Sequence, residues 1–151
     1  MCRRWLAIAA GLIGIAYLGS AHDRTASTAT AAAPVAQQSA RLVIDFGDGV
    51  EWHYVRLPWK TGMTGVDLLL AAQAHRRSLP VELRGSGPRT LVLKIGDQAN
   101  EGGGSVARNW LYWVVKPEGK PVRGSVGAGA HQPQPGETIL WKFAALDTNE
   151  E

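Results

Sequence analysis

Cysteine is almost missing from this 151-residue chain, with Cys2 the sole example. That excludes an intrachain disulfide framework and any metal site built on several thiolates. Histidine is scarce, and His22, His53, His75 and His131 never fall within metal-motif spacing of one another. Charge of one sign is scarce too: 16 Lys+Arg stand against 13 Asp+Glu, a formal +3. Long apolar runs are missing everywhere except at the N-terminus. The length excludes a TIM barrel or a two-lobed kinase and suits one domain. What is present is 18 Gly, 6 Trp and 45% hydrophobic residues, enough to bury a core.

Residues 1–21 read as an address. Arg3 and Arg4 precede an apolar run from Trp5 to Leu18, and the small residues Gly19, Ser20 and Ala21 follow. A basic start, an apolar middle and a small-x-small exit describe a secretory signal peptide, with Gly19 and Ala21 at the −3 and −1 positions. The other reading is an uncleaved N-terminal membrane anchor. The 13 residues Leu6–Leu18 reach roughly 20 Å as helix against about 30 Å of hydrocarbon, so a span needs the flanking residues as well. Either way the remainder is exported: periplasmic, cell-surface or secreted. Cys2 precedes the apolar run, whereas a lipoprotein cysteine follows it. Cleavage leaves no cysteine and excludes thiol catalysis.

Residues 22–40 are rich in Ala, Thr and Ser, and Val35 is their one large apolar residue. Such a stretch buries too little surface to order itself and reads as a disordered linker, either a spacer or a plain mature N-terminus. The domain is expected over residues 41–146. Arg41–Phe46 alternates, with Leu42, Ile44 and Phe46 on one face. Gly47-Asp48-Gly49 supplies a hairpin turn, and Val50–Leu57 returns. Thr64 and Asp67 form a capping-box signature, and Val66, Leu69, Leu70 and Ala74 recur at helical spacing, predicting a helix over Gly65–Arg77 that Pro80 closes. Asp67 in its first turn and Arg76 and Arg77 in its last suit the helix dipole. Strands are expected at Val81–Arg84, Thr90–Ile95, Asn109–Lys116 and Thr138–Phe143. A hairpin, one helix and further strands predict an α+β fold, with the helix packed on one face of a mixed sheet.

The chemical candidates mostly dissolve into structure. Asp45-Phe46-Gly47 matches a kinase triplet without any of its companion motifs. Asp45, Asp48 and Glu51 crowd a turn but lack the ligand spacing of a calcium loop. Ser86, between Gly85 and Gly87, lacks a strand-turn-helix setting, and Gly102–Gly104 lacks the ending of a phosphate loop. Nothing selects a catalytic set, so the chain reads as non-enzymatic.

Tryptophan is the informative residue. Trp52, Trp59, Trp110, Trp113 and Trp141 fall in the expected domain. On Asn109–Lys116, Trp110, Tyr112 and Val114 face one way and Leu111, Trp113 and Val115 the other. Only one face can meet the helix, so the aromatics either serve the core or form an exposed platform beside the glycine loop, suited to a flat ring or a sugar.

Six motifs occur in order: Val43–Glu51, Leu57–Thr64, Asp67–Leu70, Asn109–Val114, Val126–Ala130 and Pro135–Phe143. Together they resemble the transcobalamin-like C-terminal domain family, a small module of bacterial surfaces. The resemblance spans residues 41–143 and implies a β-grasp-like fold. It also implies a ligand, because in vertebrate cobalamin carriers a similar domain closes over one face of the corrinoid. No cofactor is certain, and cobalamin or a related corrinoid is the implied ligand. The residues it points to are Trp110, Tyr112, Trp113, Gly127, Gly129 and His131. The alternative is a cell-envelope domain that binds another protein through an edge strand or its aromatics. Nucleic acid is not an expected partner: without residues 1–21 the count is 14 basic against 13 acidic residues, and these are scattered rather than striped. Membrane contact is expected only through an uncleaved N-terminal segment.

Overall fold

The computed structural model describes residues 38–146; the expected leader and nearly all of the linker lie outside the described residues. In chain order the elements are β1 (Ser39–Asp45), β2 (Glu51–Pro58), α1 (Gly65–Gln73), β3 (Val81–Arg84), a 3-10 turn (Gly87–Arg89), β4 (Leu91–Ile95), β5 (Gln98–Ala99), β6 (Arg108–Val115), β7 (Val122–Arg123) and β8 (Thr138–Ala145). The fold is α+β. There are two sheets rather than the single one expected: five strands in the order β2-β1-β8-β6-β7, and three in the order β3-β4-β5. β1 and β8 run parallel at the centre of the large sheet, and its other pairs are antiparallel.

The first hairpin forms as its sequence dictates. The Asp45 carboxylate accepts the Gly47 N–H at 2.8 Å and the Asp48 carboxylate accepts the Val50 N–H at 3.0 Å, so these acids serve the turn. β1 begins at Ser39, inside the expected linker, because the Ala40 methyl is buried opposite Leu57. β2 departs from strict alternation. Ala40 pairs with Leu57 and Leu42 with Tyr54, so one extra residue bulges out at Val55–Arg56. The bulge lets Tyr54 and Leu57, three apart, both point inward and leaves Val55 59% exposed.

Thr64 caps α1 as expected. Its Oγ1 accepts the Asp67 N–H at 3.2 Å, and the Asp67 carboxylate accepts the Thr64 N–H at 2.8 Å. The helix stops at Gln73, four residues short of the expected Arg77. After Ala74 the chain tightens, with the His75 and Leu79 N–H groups both donating to Ala72 O and Ser78 Oγ donating to Gln73 O. This turn drives Leu79 into the core, where it is fully buried. Burying that side chain outweighs one more helical turn whose residues, His75, Arg76 and Arg77, are polar. Arg76 and Arg77 therefore lie past the helix end. Arg77 sits over the Trp52 ring at 4.2 Å, and its carbonyl accepts the Tyr54 hydroxyl.

One face of the large sheet carries Leu42, Ile44, Tyr54, Leu57, Trp110, Tyr112, Ile139, Trp141 and Phe143 into the core, where Leu68 and Leu69 of α1 and Val92 and Ile95 of the small sheet meet them. Leu79→Ala is expected to cost about 2–5 kcal/mol, since it empties a fully occupied site. Val55→Ala, on the outward bulge, is expected to change stability by no more than about 0.5 kcal/mol. Urea unfolding of the two variants checks the contrast.

Candidate functional site

β6 is where the two sheets meet, and its two ends are held differently. At its start, Asn100 ties it to the small sheet: Asn100 Oδ1 accepts the Trp110 N–H and Asn100 Nδ2 donates to Val92 O, each at 2.8 Å. The Trp110 indole N–H donates to Gln98 O at 2.8 Å. Farther on, the Gly124 N–H donates to Tyr112 O at 2.9 Å, continuing the short β7 ladder. Between these contacts the edge of β6 borders a cleft of about 530 Å³.

Its walls come from four places. β6 supplies Trp110, Leu111 and Tyr112; β4 supplies Leu91, Val92 and Leu93; Gly124, Gly127 and Ala128 form a lip; Trp141 of β8 lies between the sheets. The charged lining residues are Arg84 and Arg123, both cationic. The amide of Asn109 is engaged with Gly102 and Ala107, and the Thr90 hydroxyl donates to Gly87 O. Trp141 is 3% exposed, and its indole N–H is buried with no acceptor among the described residues. A buried donor left unmatched costs about 1–3 kcal/mol.

The glycine loop is built by close approach. A Cβ on Gly129 would stand 2.1 Å from Gly87 O, backbone against backbone, and one on Gly124 would stand 2.0 Å from the Tyr112 ring. Tyr112 also donates its hydroxyl to Val126 O at 2.5 Å. One aromatic side chain thus clamps the segment that forms the lip. The His131 carbonyl accepts the Gly65 N–H at 2.9 Å, docking the loop on the first turn of α1, which is one of the donors a helix start leaves open.

Of the six residues singled out from the sequence, Trp110, Tyr112 and Gly127 come together in the cleft. Gly129 is a packing position. Trp113 lies on the opposite face of the sheet, with Lys142 Nζ 5.7 Å above its ring, so it cannot share a ligand with Tyr112. His131 turns toward a second hollow beyond Arg123 and Gly124. The exposed platform is not found: Trp110, Tyr112 and Trp113 are 5, 8 and 7% exposed, Trp110 and Tyr112 because they pack into the core between the two sheets. Arg84, Arg123 and Trp141 were not foreseen. Trp141 sat in a recognised strand, but no spacing in the sequence joins it to β4. Comparison with protein-family models and with curated proteins brings no match.

Gly129→Ala is expected to destabilise by about 1–3 kcal/mol, the usual effect of forcing an atom into occupied space, and differential scanning calorimetry reads it. Burial pushes the phenols of Tyr112 and Tyr54 above their ordinary range, the Arg77 guanidinium partly offsetting this at Tyr54. The neutral phenol is the form the fold favours. Its contribution is complete below about pH 10 and is lost as pH rises from there through the folded-state value. Stability should therefore fall above about pH 10, less steeply in Tyr112→Phe, as denaturant midpoints across that range will register.

Proposed function

We propose that the chain is an exported, non-enzymatic binding module with a transcobalamin-like, β-grasp-like domain, and that its cleft takes a ring-bearing small molecule of the corrinoid kind. The export half of this reading rests on the leader-like residues 1–21. The fold half is supported by the sheet order, with the first and last strands parallel and central and one helix packed across them. The observation that carries the ligand is the cleft itself. At about 530 Å³ it lies within the usual range of small-molecule sites and suits one edge of a large macrocycle. Trp110, Tyr112 and Trp141 line it together with Arg84 and Arg123, and Trp141 holds a buried indole N–H without an acceptor among the described residues. Rings and donors of this kind hold a molecule rich in hydrogen-bond acceptors, such as the carboxamides around a corrin.

A second reading, a domain that binds a protein of the cell envelope, draws on a different observation. β2 ends the large sheet and pairs only with β1, leaving one edge of the sheet unpaired among the described residues. An added strand from a partner fits such an edge.

Tryptophan fluorescence separates the two. Cobalamin and cobinamide are expected to quench Trp110 and Trp141 saturably. Leu91→Arg, which puts a long side chain into the cleft from an exposed position, is expected to weaken the response about tenfold, one lost contact's worth of affinity. No saturable quenching up to millimolar ligand rejects the corrinoid reading.

A further inference from the structure

We propose that a second hollow, separated from the cleft by Arg123 and Gly124, is a binding site for a small organic carboxylate. The hollow measures about 400 Å³, within the range of sites that enclose small molecules. Lys116 and Lys120 reach it from the hairpin joining β6 to β7, Arg123 from β7, and His131 from the far side of the glycine loop. Val114 and Val122 supply an apolar wall.

The charge balance decides the ligand class. Lys116, Lys120 and Arg123 have no carboxylate partner among the described residues; their one side-chain hydrogen bond there runs from Arg123 Nη1 to Leu146 O at 3.2 Å. Glu137 is the one acid on the lining, and it is committed elsewhere. Its carboxylate accepts the Gln134 N–H at 2.9 Å, and the Glu137 N–H returns a bond to Gln134 O, closing a turn. Glu118, on the same hairpin as the lysines, does not line the hollow. His131 Nε2 is buried and unpartnered, 4.0 Å from Glu137 Oε2 and so beyond hydrogen-bond reach. Lys116 and Lys120, without a carboxylate partner, thus line one volume with the His131 ring and with Arg123, whose guanidinium reaches away to Leu146 O, and the single acid there is already engaged. A divalent cation would meet three fixed positive charges and only two ligands. A bare inorganic anion would leave the valine wall uncovered, whereas a carboxylate on a short apolar body satisfies the cations and the wall together. Arg123 and Gly124 line both hollows, but the proposal does not rest on the corrinoid reading, since Lys116, Lys120 and His131 do not line the cleft.

The test is an amide NMR titration of the full chain with benzoate, benzamide and inorganic phosphate. Benzoate is expected to shift Gly119, Lys120 and Ser125, which do not line the cleft, saturably, and benzamide and phosphate to bind at least about tenfold more weakly, the scale of one lost charged contact. Lys116→Gln with Lys120→Gln changes two surface side chains and should weaken benzoate about tenfold or more while leaving the melting temperature in place. His131→Phe keeps a ring against Tyr112, removes the idle nitrogen, and should also weaken benzoate. Benzamide matching benzoate shows that charge is not read and overturns the proposal. So does phosphate matching benzoate, which removes the apolar requirement, or the absence of saturable shifts at those amides. Unchanged benzoate affinity in both variants overturns it as well. Corrinoid quenching read in parallel reports on the cleft alone, so either site can fail without the other.

Discussion

The parallel pairing of β1 with β8 is the constraint on which the remaining structure depends. Leu42 lies beside Ile139 and Ile44 beside Trp141, so strands almost a hundred positions apart form the centre of the sheet. A parallel pair admits no tight turn between its members. Everything from the first hairpin to the last loop is therefore the connection: α1, the small sheet, β6 and the glycine loop all lie between these two strands in sequence. The helix and the small sheet both fold back over the face that the central strands make apolar, which closes one core and leaves a seam where the small sheet meets β6.

That seam explains why the cleft lies where it does. β7 is only two residues long and stops before the start of β6, while the small sheet reaches β6 through the Asn100 side chain rather than through a continuous ladder. A strand edge supported at two points by unlike partners leaves a gap between them. The backbone lip at that gap is held by contacts too close for any side chain, Gly129 against Gly87 and Gly124 against Tyr112. Tyr112 links the two hollows: it lines the cleft, its hydroxyl holds Val126, and its ring lies 5.8 Å from that of His131.

The electrostatics point in one direction. The acids near the first hairpin are used at home, Asp45 and Asp48 on turn amides and Glu51 on His53. Arg108 spends its guanidinium on carbonyls of Gly47 and Phe143, securing that hairpin to β8. Arg84, Lys116 and Lys120 have no side-chain partner among the described residues, whereas Arg123 donates to Leu146 O; the indole N–H of Trp141 and Nε2 of His131 are buried without one. Unmatched buried donors are uncommon because they cost stability. Trp141 lines the cleft and His131 the second hollow, so both buried atoms without a partner among the described residues belong to side chains beside these two spaces.

Much of the fold was legible from residues that act locally. The Thr64–Asp67 box, the Asp-Gly turn and the alternation of Ile139, Trp141 and Phe143 depend on neighbours within a few positions, so periodicity and capping chemistry located α1, β1, β6 and β8 to within a few residues. The end of the helix was not legible, because Leu79 leaves the helical path for a core that the sequence does not display. Nor was the bulge that turns Leu57 inward, the second sheet, or the side of the sheet on which Trp113 lies relative to any ligand. Of the candidate site, tryptophan richness and the glycine loop drew attention to Trp110, Tyr112 and Gly127, but their burial, and the placing of Arg84 and Trp141 beside the same cleft, come from pairings across β3, β4, β6 and β8. Sequence alone determined the local pieces and the cysteine-free composition of the domain, since those follow from residue type and short-range spacing. Only the tertiary structure decided which faces are covered and which donors go unmatched, because burial depends on which distant segment packs on top.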